Sequence, residues 1–578
     1  MAGGLMNLVA VGNQNVFLTG NPKKSFFKFV YSKYSNFGLQ KFRLDFEGSK
    51  FINATDKTHL EFKVQRYADL LVDTFLVIKL PTIWSSIYYN ETLEQFIPYS
   101  FKWIEHLGTQ IIAELTITCG GTLIQKVDGQ YLTALVQRDF SSTKKELYNE
   151  MTGNTSQFND PGKYVYDNKG NSTLTFPLQN LSTSGSANWF NTSGHYPHVI
   201  RDNGDPIQQP SIVGQNLYIP LNIWYTLSSK MAFPLVALQY NEIYINITLR
   251  PLREWFTINN VTATTESEIK QIQPNFNDEF QQFYRFIQPT PEYSTPLPIT
   301  ETDDDYAGQL IYTDKRTSWD SDPHLICTYG FLEKEERREF AAKEINYLIK
   351  NIYRYDFHNL FETNRIEMDA LGMVASWVFF YRRSDAYKRN QWTNYTNWEY
   401  KNDPFTAATY NNIKFLNRIG SIPPLYDKFY FTGALNTNYE KIILRTLGFL
   451  LNGQYRENIL HEGVYNYCEK YLKTGGHGPD GLYCYNFCLD TNPFILQPNG
   501  AMNLSKFKEI EMEFNIRTPP LDSEVSILTV CDPEGNLPIG TNKLGNGIYK
   551  YTYDLYVYEE RFNMLTFSGG NCGLLYAR

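Results

Sequence analysis

Apolar and polar residues alternate with a period of two over stretch after stretch of this chain. In HLEFKVQ, Leu60, Phe62 and Val64 share one face while Glu61, Lys63 and Gln65 share the other. In EIYINITLR, Ile243, Ile245, Ile247 and Leu249 oppose Tyr244, Asn246, Thr248 and Arg250. EIEMEFNIR repeats the pattern with Ile510, Met512, Phe514 and Ile516, and YKYTYDLYVY with Tyr549, Tyr551, Tyr553, Leu555 and Val557. A strand turns successive side chains to opposite faces, so these segments read as half-buried antiparallel strands. A four-residue apolar face is worth about 6–10 kcal/mol of gross burial before chain entropy is subtracted. MVASWVFFY, at 373–381, is the longest apolar run, broken only by Ser376, and predicts a strand buried on both faces. ELTITCGGTLIQKVDG reads as a hairpin turning at Gly120-Gly121.

These signals fall into two groups, from about 58 to 250 and from about 323 to 578. The 43 Tyr and 39 Phe suit strands and a well-filled core. The expected organisation is an arm over 1–30, a first β-sandwich over 31–255 with a polar insertion at 141–216, a connector over 256–320, and a second sandwich over 321–578 with an insertion at 382–480. One helix is expected within FLEKEERREFAAKEINYLI, 331–349, and KEERRE reads as its charged surface. No internal sequence repeat stands out.

Several function classes are disfavoured. A net charge of −8 does not suit a protein that coats nucleic acid, so no direct nucleic-acid contact is expected. The seven Cys form no CxxC pair and read as free thiols of a reducing compartment. No apolar run reaches the ~20 residues of a membrane span, and MAGGLMNLVAVG lacks the basic start of a signal peptide, which suggests synthesis in cytosol. Walker, GxGxxG, HExxH, GxSxG and EF-hand spacings are missing, and no cofactor, metal or catalytic residue is expected. His195 and His198 read as a surface pair, and Asp303, Asp304 and Asp305 as a solvated acidic turn. Paired carboxylates for glycoside hydrolysis are a matter of spacing in space and are not legible here. Among many Asn-X-Ser/Thr sequons, Asn171, Asn191 and Asn394 are the candidate glycan acceptors on outward loops.

The segment NVFLTGNPKKSFFKFVYSKYSNFGLQ, 15–40, sets Phe26, Phe27, Phe29 and Tyr31 beside Lys23, Lys24 and Lys28. Each ring is worth roughly 2–3 kcal/mol when buried. The expectation is that Phe26, Phe27, Phe29 and Tyr31 pack inward under the sandwiches while the lysines, Lys28 among them, face down. The plainer alternative is an ordinary first strand with solvated lysines.

The opening MAGGLMNLVAVGNQNVFLTGNPKKSFFKFVYSKYSNF closely resembles the start of the major capsid proteins of nucleocytoplasmic large DNA viruses. The resemblance continues in order through RYADLLVDTFLVIKLP, with Ala68 where a Gly is usual, and WIEHLGTQIIAELTITCGGTLIQKVDGQYL. It runs on through LYIPLNIWYTLSSKMAFPLVALQYNEIYINI, YGFLEKEERREFAAKEINYLI, FILQPNGAMNLSKF and YEERFNMLTFSGGNCGLLY. It is poorest over 141–216, 256–320 and 382–480.

The resemblance implies an all-β double jelly roll, two eight-stranded antiparallel sandwiches in one chain, with long loops and a few short helices. It further implies a non-enzymatic structural protein whose homotrimers form pseudo-hexagonal capsomers of an icosahedral shell. Neighbouring capsomers, minor capsid and penton proteins and the internal virion membrane are the implied partners. The aromatics of NQWTNYTNWEY suit the trimer interface, and assembly in host cytoplasm is expected. Alternative readings are a carbohydrate-active or carbohydrate-binding β-sandwich, and a minor capsid or spike paralogue.

Overall fold

The computed structural model describes residues 2–46, 48, 51–162, 196–199, 209–265, 268–291, 310–401, 440–522, 528–531, 538–542 and 548–576. The sequon positions Asn171 and Asn191, together with His195 and Asp303, Asp304 and Asp305, lie outside the described residues.

Two layers face each other in the first barrel, one of five strands and one of four. In one, Phe37–Asp45 pairs with His324–Leu332, which pairs with Leu70–Lys79, whose far edge carries Asn216–Pro220 and the short Phe233–Pro234. In the other the order is Thr58–Lys63, Ile243–Leu249, Ile112–Cys119, Thr122–Val127. Counting the eight principal strands along the chain, the two orders are 1-8-3-6 and 2-7-4-5, the interleaving of a jelly roll.

The second half repeats that order. Ile345–Leu360, Tyr553–Ser568, Met373–Arg383 and Leu482–Asn486 form one layer. Thr363–Glu367, Ile510–Ile516, Leu444–Leu451 and Gln454–His461 form the other. The chain is therefore a double jelly roll, as the resemblance implied, and its duplication lies in topology.

The period-two reading holds in detail. Ile245 lies opposite both Phe62 and Ile117, Ile247 opposite Leu60 and Leu115, and all are buried in the first core. Ile510, Met512, Phe514 and Ile516 fill the second core with Tyr551, Tyr553, Leu555 and Val557. The apolar run at 373–381 is buried on both sides: Trp377, Phe379 and Tyr381 point into the second core, while Val378 and Phe380 join the first. Tyr556 and Tyr558 likewise join the first core from between the inward Leu555 and Val557. One sheet thus serves two cores.

Four boundaries differ from expectation. His324–Leu332 closes the first barrel between Phe37–Asp45 and Leu70–Lys79; the second barrel begins only at Ile345, after the helix Lys334–Ala342. This pairing joins residues nearly three hundred positions apart in the chain, which no local pattern reports. The described residues of 256–320 lie between the seventh and eighth strands of the first barrel and include the short paired strands Phe256–Asn259 and Gln271–Ile272. Phe256 stacks on Phe101 with centroids 4.6 Å apart, and Phe283 and Phe286 are fully buried. The stretch 382–480 contains a strand hairpin, Leu444–Leu451 and Gln454–His461, turned by Asn452 (φ 49°) and Gly453 (φ 76°). Finally, the arm runs to residue 36, because the first strand starts at Phe37.

Candidate functional site

The described residues contain no group of three or more His, Cys, Asp or Glu that could hold a metal ion, and no helix long and apolar enough to cross a membrane. The chemistry concentrates in the seam between the barrels and in the N-terminal arm.

The seam is built on the helix Gly129–Asp139, which follows the fifth strand of the first barrel. Asp128 caps it by accepting from Tyr131 N. Gly129 opens it where a Cβ would overlap Thr109 O and come within 2.6 Å of Ile112 O, so only glycine fits. The helix is buried along its whole length against the second barrel's outward sheet face.

At its end Arg138 donates to Asp139 Oδ2 (2.7 Å) and, across the seam, to Glu560 Oε1 (2.6 Å). Tyr131 also donates to Glu560 Oε1, Ser376 donates to Glu560 Oε2, and Lys350 stands 3.4 Å away. Burial pushes the Glu560 carboxyl up, but Arg138 and Lys350 outweigh it and hold it at about 2. Burial wins at Asp139, whose carboxyl is raised despite the same guanidinium, with the charge of Glu560 adding to the rise.

Nearer the helix start, Asp128 accepts from Arg354 (2.7 Å) and Tyr558 (2.8 Å), and Gln130 donates to the Tyr395 hydroxyl. Replacing a buried pair such as Arg138–Glu560 by apolar groups is often neutral, but removing one partner is costly.

NQWTNYTNWEY packs into this same seam. Asn390 donates to Arg253 O and Phe256 O, Arg250 lies 4.4 Å from the Trp392 ring, and Tyr395 is buried. Trp392 and Tyr395 are thus buried within the chain, while Trp398 and Tyr400 are half-buried. Asn394 is buried too, donating to Trp398 O and accepting from Thr396, so it has no space for a glycan. His198 is no surface residue: it is half-buried with its ring 4.8 Å from Tyr196.

The arm is placed otherwise than expected. Phe26, Phe27, Phe29 and Tyr31 are exposed, Phe27 at 101%, and Lys28 with them; none packs beneath its own barrels. Two short helices, Gly3–Val9 and Asn15–Thr19, bury no residue. Lys24 lies 5.4 Å from the Phe26 ring centroid. The hydrophobic content was legible, and among the described residues nothing covers it.

Sequence reading missed Arg138 and Glu560. The signal was the charged run Glu559-Glu560-Arg561 inside an otherwise apolar alternating strand, where a charge needs a buried partner. Glu559 faces the opposite core, accepting from Trp377 Nε1 and Arg561.

Two jelly rolls of one strand order, welded through a common sheet, make this a double jelly-roll protein. Residues 25–288 match the family described as the major capsid protein N-terminus. The chain is 31% identical over 254 residues to the major capsid protein of Phaeocystis pouchetii virus, covering 44% of this chain and 42% of that one. With the major capsid protein of Chrysochromulina ericina virus it shares 28% identity over 376 residues, covering 61% and 52%. The alignment with the major capsid protein of Paramecium bursaria Chlorella virus 1 spans both chains fully at 22% identity. The chain thus spans about half or less of the length of the first two relatives.

Among solved structures, a chain of the PBCV-1 virus capsid matches with a TM-score of 0.56 at 18% identity, covering 96% of this chain and 100% of that one. The Faustovirus major capsid protein matches with a TM-score of 0.56 at 10% identity, covering 96% and 94%. At such identities the likeness concerns the fold. Residues 25–288 carry the family's N-terminal domain, and the chain is recognised as a double jelly-roll relative of the major capsid proteins of nucleocytoplasmic large DNA viruses.

Proposed function

We propose that this chain is a structural capsid protein whose homotrimers form pseudo-hexagonal capsomers of an icosahedral virion shell. The observation that carries the reading is the repeated strand order of two barrels held in one fixed orientation. Three such chains about a threefold axis present six similar barrels, and so a nearly hexagonal outline. Neighbouring capsomers, and minor capsid and penton proteins, are its partners, and assembly occurs in host cytoplasm.

The exposed arm supports a second contact. Contiguous exposed apolar surface marks a binding site in a soluble protein. The rings of Phe26, Phe27, Phe29 and Tyr31 beside Lys23, Lys24 and Lys28 suit an inner-face contact with a minor capsid protein or with anionic lipid of an internal membrane.

Solution mass tests the assembly reading. The expected species is close to three times 67.2 kDa and resists dilution. A monomer, or a fivefold oligomer as in a spike or penton, overturns it.

A further inference from the structure

Among the described residues, the N-terminal arm holds the densest run of exposed apolar side chains. Between Gly20 and Asn36 it forms neither helix nor strand, and every residue there is exposed. Its side-chain contacts are local: Lys24 stands by the Phe26 ring, and the Tyr34 and Phe37 ring centroids lie 6.5 Å apart. The charge is as one-sided as the exposure. No Asp or Glu precedes Asp45, while Lys23, Lys24, Lys28 and Lys33 interleave with the rings. Residues 1–36 therefore carry +4, and the rest of the chain −12, of a net charge of −8.

That charge decides between occupants. Arms of neighbouring copies repel one another. The barrels of a second copy offer the same acidic surface as the arm's own barrels; a tethered segment meets its own body at about millimolar effective concentration, and still these rings stay uncovered. A protein groove that takes an extended segment reads its alternate side chains. On an extended arm, however, Phe26 would share a face with Lys24 and Lys28, and Phe27, Phe29 and Tyr31 a face with Lys23 and Lys33. Neither face is purely apolar. A fluid lipid surface asks for composition and not for register. Rings settle in its interfacial layer while lysine stems lie along apolar surface and carry their ammonium groups back to the phosphates. Apolar burial combined with attraction to anionic headgroups is how peripheral segments hold a bilayer.

We propose that residues 20–36 are a membrane leash: Phe26, Phe27, Phe29 and Tyr31 seat in the interface of an anionic bilayer, Lys23, Lys24, Lys28 and Lys33 bind its headgroup phosphates, and the chain from there to Phe37 sets how far the first barrel stands from the lipid. The inference rests on the inner-face contact proposed above and fixes lipid as its partner. The first strand, Phe37–Asp45, is paired into the barrel from its first residue, so the leash is rooted at Phe37. From Phe26 to that root a fully extended chain reaches at most about 40 Å. The barrel base is therefore kept within that distance of the bilayer without touching it. In a trimer three such leashes act together, and the second and third engage at high effective concentration once the first has bound.

The test is flotation of the purified full-length protein with vesicles of phosphatidylcholine, with and without phosphatidylserine. The protein should float with the anionic vesicles at low salt, much less with the neutral ones, and lose binding as salt screens the lysines. One variant carries Lys23→Gln, Lys24→Gln, Lys28→Gln and Lys33→Gln; a second carries Phe26→Ser, Phe27→Ser, Phe29→Ser and Tyr31→Ser. A lysine near an anionic surface is worth about fivefold in affinity, so the first variant should bind anionic vesicles about two to three orders of magnitude more weakly. The second should lose the binding that persists at high salt. Both should melt with the wild type, because the altered side chains are exposed. Electron tomography of the bound protein should find the barrel base within about 40 Å of the bilayer. Equal flotation with neutral and anionic vesicles, full binding by the ring variant, or no flotation at low salt overturns the proposal. In the last case, with the solution mass still that of a trimer, the capsomer reading stands and the arm's partner is a protein.

Discussion

Arg138 of the first barrel reaches Glu560 of the second at 2.6 Å, with both side chains almost wholly removed from solvent. The guanidinium also holds Asp139, so one cation serves two buried carboxylates. Its removal is predicted to be more damaging than loss of either acid. Arg138→Met should destabilise by about 3–5 kcal/mol, the usual penalty for orphaning a buried charge. The pair Arg138→Met with Glu560→Leu should recover part of that loss. Denaturant titration of the three proteins checks it; an Arg138→Met variant as stable as wild type would show that the seam does not depend on this pair.

The pH response has a separable histidine component. His106, which bonds Gln137 of the seam helix at 2.8 Å, is held down at about 4 by burial, with Lys401 and Lys145 adding to it and Glu105 opposing. The unfolded chain takes up a proton near 6.5 while the folded one stays neutral, so folding loses stability as pH falls from about 6.5 to 4. Glu560, depressed from 4.5 to about 2, removes more stability below 4.5. Asp139 and Glu559, raised by burial, act in the opposite sense. The clean readout is therefore a difference: wild type should lose stability relative to His106→Asn over the window 6.5 to 4. Parallel urea midpoints for the two proteins would refute the assignment.

The hairpin at Asn452-Gly453 offers a purely conformational test. Gly453 has φ 76° and open space where a Cβ would go, so Gly453→Ala introduces backbone strain without a clash. A loss of about 1–2 kcal/mol is expected. Asn452 should be more sensitive to Asn452→Ala than its exposure suggests, because its side-chain oxygen accepts from Lys508 N and Glu509 N.

Removing residues 1–36 should leave the melting temperature within about a degree of the full chain, since the described arm residues are exposed except for the half-buried Asn15. The same truncation should reduce binding to anionic vesicles or to the shell's inner components. A marked fall in melting temperature would mean that the arm packs on the barrels after all.

The strands with one apolar face were open to reading because burial on one side imprints a two-residue rhythm. The run Met373–Tyr381 was equally open, since its shortness and its Val and aromatic content favour a buried strand over a buried helix. Gln454–His461 was missed because it is an edge strand exposed on both sides and carries no such rhythm; the Asn-Gly turn before it was the available clue. His324–Leu332 looked like the start of something new, and belonged to the barrel begun at Phe37, because strand pairing across three hundred residues leaves no local trace. The seam's charges were hidden for a related reason: Arg138 and Glu560 each look like solvated surface until the two barrels meet.

The strand carrying Trp377 and Phe380 has no wet side, because its alternate side chains belong to two different cores. In a shell assembled from such blocks, outward pressure from packed contents would be met at the joints between blocks, while each block carries the load as one rigid stone.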